Sequence, residues 1–234
     1  MLEMGYSPRR SALVALAVGL SLGPCGPAAA LAAEDDGPHR PLDGGEGPPP
    51  PINTHYAQYG VALVAQTVPD AADACPTQAY SPCILGSGAG LAVRVGYRGR
   101  GDWYFGGAYE FSRLAASNLL RLPILQQLRA EARYEITRTT RVIPYLAFGV
   151  GATSYGNEWG VDTAGVVGMA GFGTALQLSR SSLVGVALSY RPLILRGWTD
   201  GTGQRRADSF GGFGAAHLLT LELTFELRSA LSRW

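Results

Sequence analysis

The chain has 234 residues, and 16% of them are charged, below the roughly 25% of ordinary soluble domains. Its 19 basic and 18 acidic residues nearly cancel, so charge offers no pointer to a nucleic-acid partner. Beyond the N-terminus no apolar run reaches the roughly 18 residues that a membrane-spanning helix needs.

The first 33 residues read as a signal peptide. Arg9 and Arg10 supply a positive start, "SALVALAVGLSLG" a short apolar segment, and "PAAALAAED" small-residue cleavage sites after Ala30, Ala32 or Ala33. An anchor helix is the poorer reading, because the run is short and Gly23, Pro24, Gly26 and Pro27 end it. "PRR" fits a twin-arginine signal poorly. Pro24 argues against a lipoprotein site at Cys25, which is expected to leave with the signal. Residues 34–54 follow as a linker: "EDDGPHRPLDGGEGPPPP" is too rich in Pro, Gly and acid to form a core.

From residue 55 the pattern changes to period two, the signature of half-buried strands. Eight segments follow in order: 55–68, 86–98, 102–114, 125–137, 141–156, 164–179, 182–195 and 209–228. Most supply the roughly 9–11 residues of a tilted spanning strand. The connections after the second, fourth and sixth segments are tight ("GRG", "RTT", "RS"). Those after the first, third, fifth and seventh are longer: 69–85, 115–124, 157–163 and 196–208. Such a meander gathers short turns at one end and long loops at the other, the asymmetry of transmembrane barrels. The expected fold is therefore all-β: an eight-stranded antiparallel up-and-down transmembrane β-barrel over 55–228, with 229–234 as a C-terminal tail. Cys75 and Cys83, in "CPTQAYSPC", fall in the longest loop. An exported chain meets an oxidising compartment, so they are expected to form a disulfide.

The alternation sorts side chains onto two faces. Leu91, Val93, Val95 and Tyr97 oppose Arg94 and Arg98. Leu128, Ala130, Ala132, Tyr134 and Ile136 oppose Arg129, Glu131, Arg133 and Glu135. Val184, Val186, Leu188 and Tyr190 share a face opposite Arg191. Tyr109 and Phe111 oppose Glu110, while Leu219, Leu221, Leu223 and Phe225 oppose Glu222 and Glu226. The polar face thus collects Arg94, Arg98, Arg129, Arg133 and Arg191 against Glu110, Glu131, Glu135, Glu222 and Glu226, beside small residues such as Gly106, Ala108, Gly149, Gly151, Gly171, Gly173 and Gly185. A balanced set of charges among small residues suits the narrow, side-chain-filled interior of an eight-stranded barrel. The Leu/Val/Phe face is then expected to look into hydrocarbon, where only closed barrels leave no unsatisfied strand edge. Trp103, Tyr104, Tyr155, Trp159, Trp198 and Phe225 stand near segment ends and are expected in the aromatic girdles of such a barrel.

These features resemble the small eight-stranded outer-membrane barrels of Gram-negative bacteria: OmpA-type transmembrane domains, OmpX and the opacity-like proteins. The resemblance covers roughly 55–228. It implies location in the outer membrane, contact with outer-membrane lipid and lipopolysaccharide, and delivery by the barrel-assembly machinery. Family members end on an alternating strand that closes with Phe or Trp, as "LTLELTF" does at Phe225. The tail "ELRSALSRW" departs from that pattern, although Trp234 is also aromatic. "QLRAEARYEI" and "YGNEWGV" also resemble barrel proteins of myxobacteria, a resemblance that implies no activity.

No cofactor or metal is expected. Cys75 and Cys83 have no further Cys or His nearby. "GSGAGLAV" opens a strand rather than a helix, and "GTGQRR" lacks the lysine and helix of a phosphate loop. Asp102, Asp162, Asp200 and Asp208 read as turn residues. Arg205 and Arg206 read as solvated loop charges, with lipopolysaccharide phosphates as their alternative partner. Of His39, His55 and His217, only His217 is placed near the outer rim, with Asp208 and Ser209 close in sequence. It reads as an interfacial histidine facing lipid rather than a catalytic base. The leading expectation is a non-enzymatic outer-membrane barrel with a plugged Arg/Glu lumen, acting in envelope structure or through its exterior loops. Alternation alone also suits a soluble periplasmic barrel of lipocalin type with the faces reversed. A lipid A-modifying enzyme is the third reading.

Overall fold

A computed structural model describes residues 55–71, 74–75, 83–117, 119–136, 141–179, 181–200 and 203–231. The expected signal peptide and linker, Cys25, His39 and Trp234 lie outside the described residues. Among the described residues ten strands follow one another: β1 Tyr56–Asp70, β2 Gly88–Arg98, β3 Trp103–Leu114, β4 Pro123–Glu135, β5 Val142–Asn157, β6 Thr163–Gln177, β7 Ser182–Arg196, β8 Trp198–Thr199, β9 Arg205–Arg206 and β10 Phe213–Ala230. No helix among the described residues is long and apolar enough to cross a membrane.

Eight of the strands close into a barrel in the order β1-β10-β7-β6-β5-β4-β3-β2, each pair antiparallel. Closure is made by β1 on β10. Its ladder runs from Tyr56↔Ala230 to Thr67↔Leu219 and shifts register only before Asp70↔His217. Side chains alternate with the pleat, so each strand turns one parity inward. Large apolar residues of the other parity stay exposed on every barrel strand, among them Val61, Val93, Phe105, Leu128, Phe148 and Leu221.

The last strand and the connection before it differ from the sequence expectation. The last strand continues through Ser229 and Ala230, because β1 starts at Tyr56 and offers backbone partners that far. Phe225 consequently lies five residues inside the strand. The connection 196–208, expected as loop, contains the small β8–β9 hairpin, in which Trp198 pairs with Arg206 and Thr199 with Arg205. Pro192 stands inside β7, where a missing N–H breaks a ladder. The β6–β7 pairing is interrupted there, between Val167↔Leu193 and Ala170↔Tyr190, and Gly168 leaves room for the ring.

Glycines make the interior wide enough for rings that lie flat against the wall. A β-carbon on Gly96 or Gly106 would strike the Tyr104 side chain, and one on Gly173 would strike Tyr145. Gly106→Val should therefore overpack the lumen at a cost of about 1–3 kcal/mol. The measurement is the urea midpoint of the folded barrel in detergent: it should fall, with the slope of the transition unchanged.

Candidate functional site

The inward face of β2, β3, β4, β7 and β10 carries the charged residues. The chain contains no lysine, so every interior cation is an arginine, whose planar fork bonds carboxylates in pairs. Six buried side chains form a closed cycle of alternating sign. Glu110 meets Arg129 at 3.0 Å, Arg129 meets Glu131 at 3.1 Å, and Glu131 meets Arg94 at 3.1 Å. Arg94 pairs closely with Glu222, Glu222 with Arg191, and Arg191 returns to Glu110 at 2.6 Å. Neutral groups fill some of the remaining valences. The Ser112 hydroxyl donates to Glu110 at 3.0 Å, and Arg129 donates to the Gln127 carbonyl at 2.7 Å.

A second tier lies toward the short-turn end. Arg133 pairs with Glu226 at 2.7 Å and reaches Glu131 at 3.8 Å, while Gln58 donates to Glu226 at 2.5 Å. Glu135 pairs with Arg98 and, at 3.5 Å, with Arg228. The Arg133 guanidinium stands over the Tyr104 and Tyr145 rings at 5.0 and 5.3 Å, a cation–π arrangement, and Arg98 and Arg228 flank Tyr56. All ten charged residues picked out by parity thus stand in this interior. Arg228, Gln58, Tyr56 and Tyr145 were missed. Arg228 shares the parity of Glu222 and Glu226 and was legible. Gln58 and Tyr56 sit on a strand without other interior charges, which gave parity nothing to sort.

The long-loop half of the interior is apolar. Leu114, Leu125, Tyr155, Val167, Leu193, Leu195 and Leu218 pack there around Ile84 and Leu85, which enter from the first long connection. Cys75 and Cys83 form a disulfide in that connection, with Cα atoms 4.7 Å apart. The Tyr155 hydroxyl donates to the Ile84 carbonyl. Arg206 is buried, pairs with Asp200 at 2.8 Å and donates to the Ala74 carbonyl at 3.1 Å, tying the β8–β9 hairpin to the first connection. Arg206 is therefore not a solvated charge, whereas Arg205 is exposed and pairs with Asp208 at 2.5 Å.

The expected aromatic girdle is corrected in part. Tyr104, Tyr155 and Trp198 are buried. Tyr104 has inward parity and lies under Arg133. Tyr155 also points inward and donates to the Ile84 carbonyl, and Trp198 packs against its ring in the hairpin. Position near a strand end is not enough: parity decides which way a ring points. Trp103, Trp159 and Phe225 are exposed. Trp103 packs on outward Tyr134, and Trp159 on Phe111. The two described histidines also stand on the outer wall. His217 stacks on Tyr190, its Nδ1 2.5 Å from the hydroxyl, and His55 pairs likewise with Tyr97. No group of three or more His, Cys, Asp or Glu suited to a metal ion occurs among the described residues.

The class defined by this geometry is a closed eight-stranded barrel with an apolar exterior and buried ion pairs inside. No family model matches the chain, and no curated protein matches it. Among solved structures it is similar to Neisserial surface protein A, at 16% identity over 76% of this chain and 97% of that one, with a TM-score of 0.46. It is also similar to the outer membrane protein OprG of Pseudomonas aeruginosa (13% identity, 76% and 97% covered, TM-score 0.41). A third similarity is to the outer membrane protein AlkL, solved in DMPC bilayers (13% identity, 78% and 92% covered, TM-score 0.47).

Glu222 touches two arginines of the cycle closely and a third, Arg129, at 3.9 Å. Glu222→Leu should cost about 3–5 kcal/mol, because buried guanidinium groups lose their counter-charge. Glu158→Leu removes only the exposed pair with Arg121 and should cost less than about 1 kcal/mol. Urea unfolding of both variants in one detergent checks the contrast; equal effects would contradict the inward assignment.

Proposed function

We propose that this chain is a non-enzymatic outer-membrane protein whose barrel spans the bilayer with a closed lumen. It acts in envelope structure or through its long-loop end. The observation that carries the reading is the distribution of charge on the wall. Among the outward positions of the eight barrel strands, charged side chains occur only at the long-loop ends: Asp70, Arg113 and Arg196. On β3 the uncharged outward run from Trp103 to Arg113 covers ten residue steps. At about 3.3 Å per residue and a tilt of about 40° the band is about 25 Å tall, the height of the lipid-facing belt of such barrels.

A soluble lipid-binding barrel would have the opposite polarity, with an apolar cavity and a polar wall. Here the apolar part of the interior is filled by Ile84 and Leu85, and the rest holds ion pairs. An esterase or acyltransferase would need a base, a nucleophile and an acid assembled together. His217 partners Tyr190, and Asp208 partners Arg205. In the proposed reading the partners are outer-membrane lipid, lipopolysaccharide at the long-loop end, and the barrel-assembly machinery during insertion. An N-terminal signal brings the chain across the inner membrane.

The first test is fractionation of the envelope with unheated and boiled samples run in SDS. The expected result is an outer-membrane band that shifts on boiling, since closed barrels unfold slowly in detergent. Leu91→Arg separates the readings further. At mid-wall it should cost about 2–4 kcal/mol in a bilayer, whereas a soluble barrel, with Leu91 in water, should tolerate it. Reconstituted in a planar bilayer, the wild-type protein should show no sustained open level. A stable pore would remove the plugged lumen from the proposal.

A further inference from the structure

The guanidinium of Arg94 has three nitrogens, and the charged cycle uses two. Nε meets Glu131 at 3.1 Å, and Nη2 pairs closely with Glu222. Nη1 has no hydrogen-bond partner among the protein atoms, although the side chain is only 4% exposed. A buried donor in this position is costly unless something accepts from it. Arg94 also lines a small cavity on the short-turn side of the cycle. Glu131, Arg133 and Glu222 line it with Ala147, the cross-strand neighbour of Arg133, and Ala187, the cross-strand neighbour of Glu222. The centre of a water molecule is free to occupy about 10 Å³ of it, close to the space of a single water.

We propose that this cavity is a binding site for one water molecule, which completes the charged cycle. Three features select water. An apolar occupant would leave Nη1 unsatisfied. A halide-like anion would face the carboxylates of Glu131 and Glu222. Water both accepts and donates: it takes the hydrogen bond from Arg94 Nη1 and returns one to a carboxylate. The space exists because β5 and β7 place the short side chains of Ala147 and Ala187 directly beside Arg133 and Glu222. The site rests on the closed cycle described above but not on the membrane reading.

The test uses the protein folded in detergent micelles with its alanine methyl groups labelled. Magnetisation transfer from water should reach the Ala147 and Ala187 methyls with the sign of a long-lived bound water, and xenon should leave their shifts unchanged. Xenon-induced shifts without water transfer would show a dry apolar void and overturn the proposal. Shifts that titrate with bromide would show an anion site and overturn it equally. Failure of the cycle itself is read separately, as rapid exchange of the Arg94 guanidinium protons with bulk water. Ala187→Val, which fills the space, should abolish water transfer to Ala147 and lower the temperature of the band shift by several degrees. A rise in that temperature would mean that the space had been empty. If the variant does not fold, the wild-type measurements decide.

Discussion

The pairing of β1 with β10 is the contact on which the rest of the structure depends. A strand wall that meets hydrocarbon must satisfy its backbone N–H and C=O groups within itself, and only closure removes the last free edge. Closure of eight strands also fixes a narrow interior. Everything inside must then fit that width. Tyr104 and Tyr145 lie flat because glycines stand beneath them, and long arginines cross the space that alanines leave.

Within this interior the charges must answer one another. A buried ion pair is not in general more stabilising than a well-packed apolar pair of the same volume, but a buried charge without its partner is strongly destabilising. The closed cycle through Glu110, Arg129, Glu131, Arg94, Glu222 and Arg191 distributes that dependence over β3, β4, β2, β10 and β7. Because side chains alternate, a one-residue slip of any of these strands would turn its charges outward and its Leu or Val residues inward. The charged cycle therefore penalises every odd-residue slip of the strands that carry it. β1, β5 and β6 have no charged member of the cycle, and steric fit holds them: Gly60 against Glu226, Gly151 against Arg129, and Gly173 against Tyr145.

The strands were legible in the sequence because period two persists through eight segments, and tight turns alternate with long connections. The charged residues were legible for the same reason: parity alone separates Arg129, Glu131, Arg133 and Glu135 from their neighbours. Arg228 obeyed the rule but stood at the last residue of the expected segment 209–228, and the partner length of β1 was unknown. Tyr104, Tyr155 and Trp198 were misplaced by the opposite error, in which nearness to a strand end was weighed above parity. The apolar plug was not legible at all. Ile84 and Leu85 belong to a connection with no period, and their burial depends on the rim residues of six barrel strands and on Arg206, more than a hundred residues away.

The interior is divided along the barrel axis, and the division follows from how each end is covered. At the short-turn end the connections are too brief to fold inward, so strand residues must fill the lumen themselves. Long side chains with paired charges do this while tolerating nearby water. At the long-loop end the connections have length to spare. A disulfide shortens the first of them, and Arg206 and Tyr155 fix its carbonyls, so that Ile84 and Leu85 replace water against the leucines of the rim. Apolar filling is stable there because the loops cover it, and each buried aliphatic side chain contributes about 1.5–3 kcal/mol. The outward charges Asp70, Arg113 and Arg196 mark the same end on the outside of the wall. The plug thus lies at the level where the wall leaves the apolar band, beneath the loops that would meet the exterior, and the charged cycle lies inside the band. The charged and the apolar parts of the interior thus follow one another along the barrel axis, each filled by the chemistry that its own connections permit.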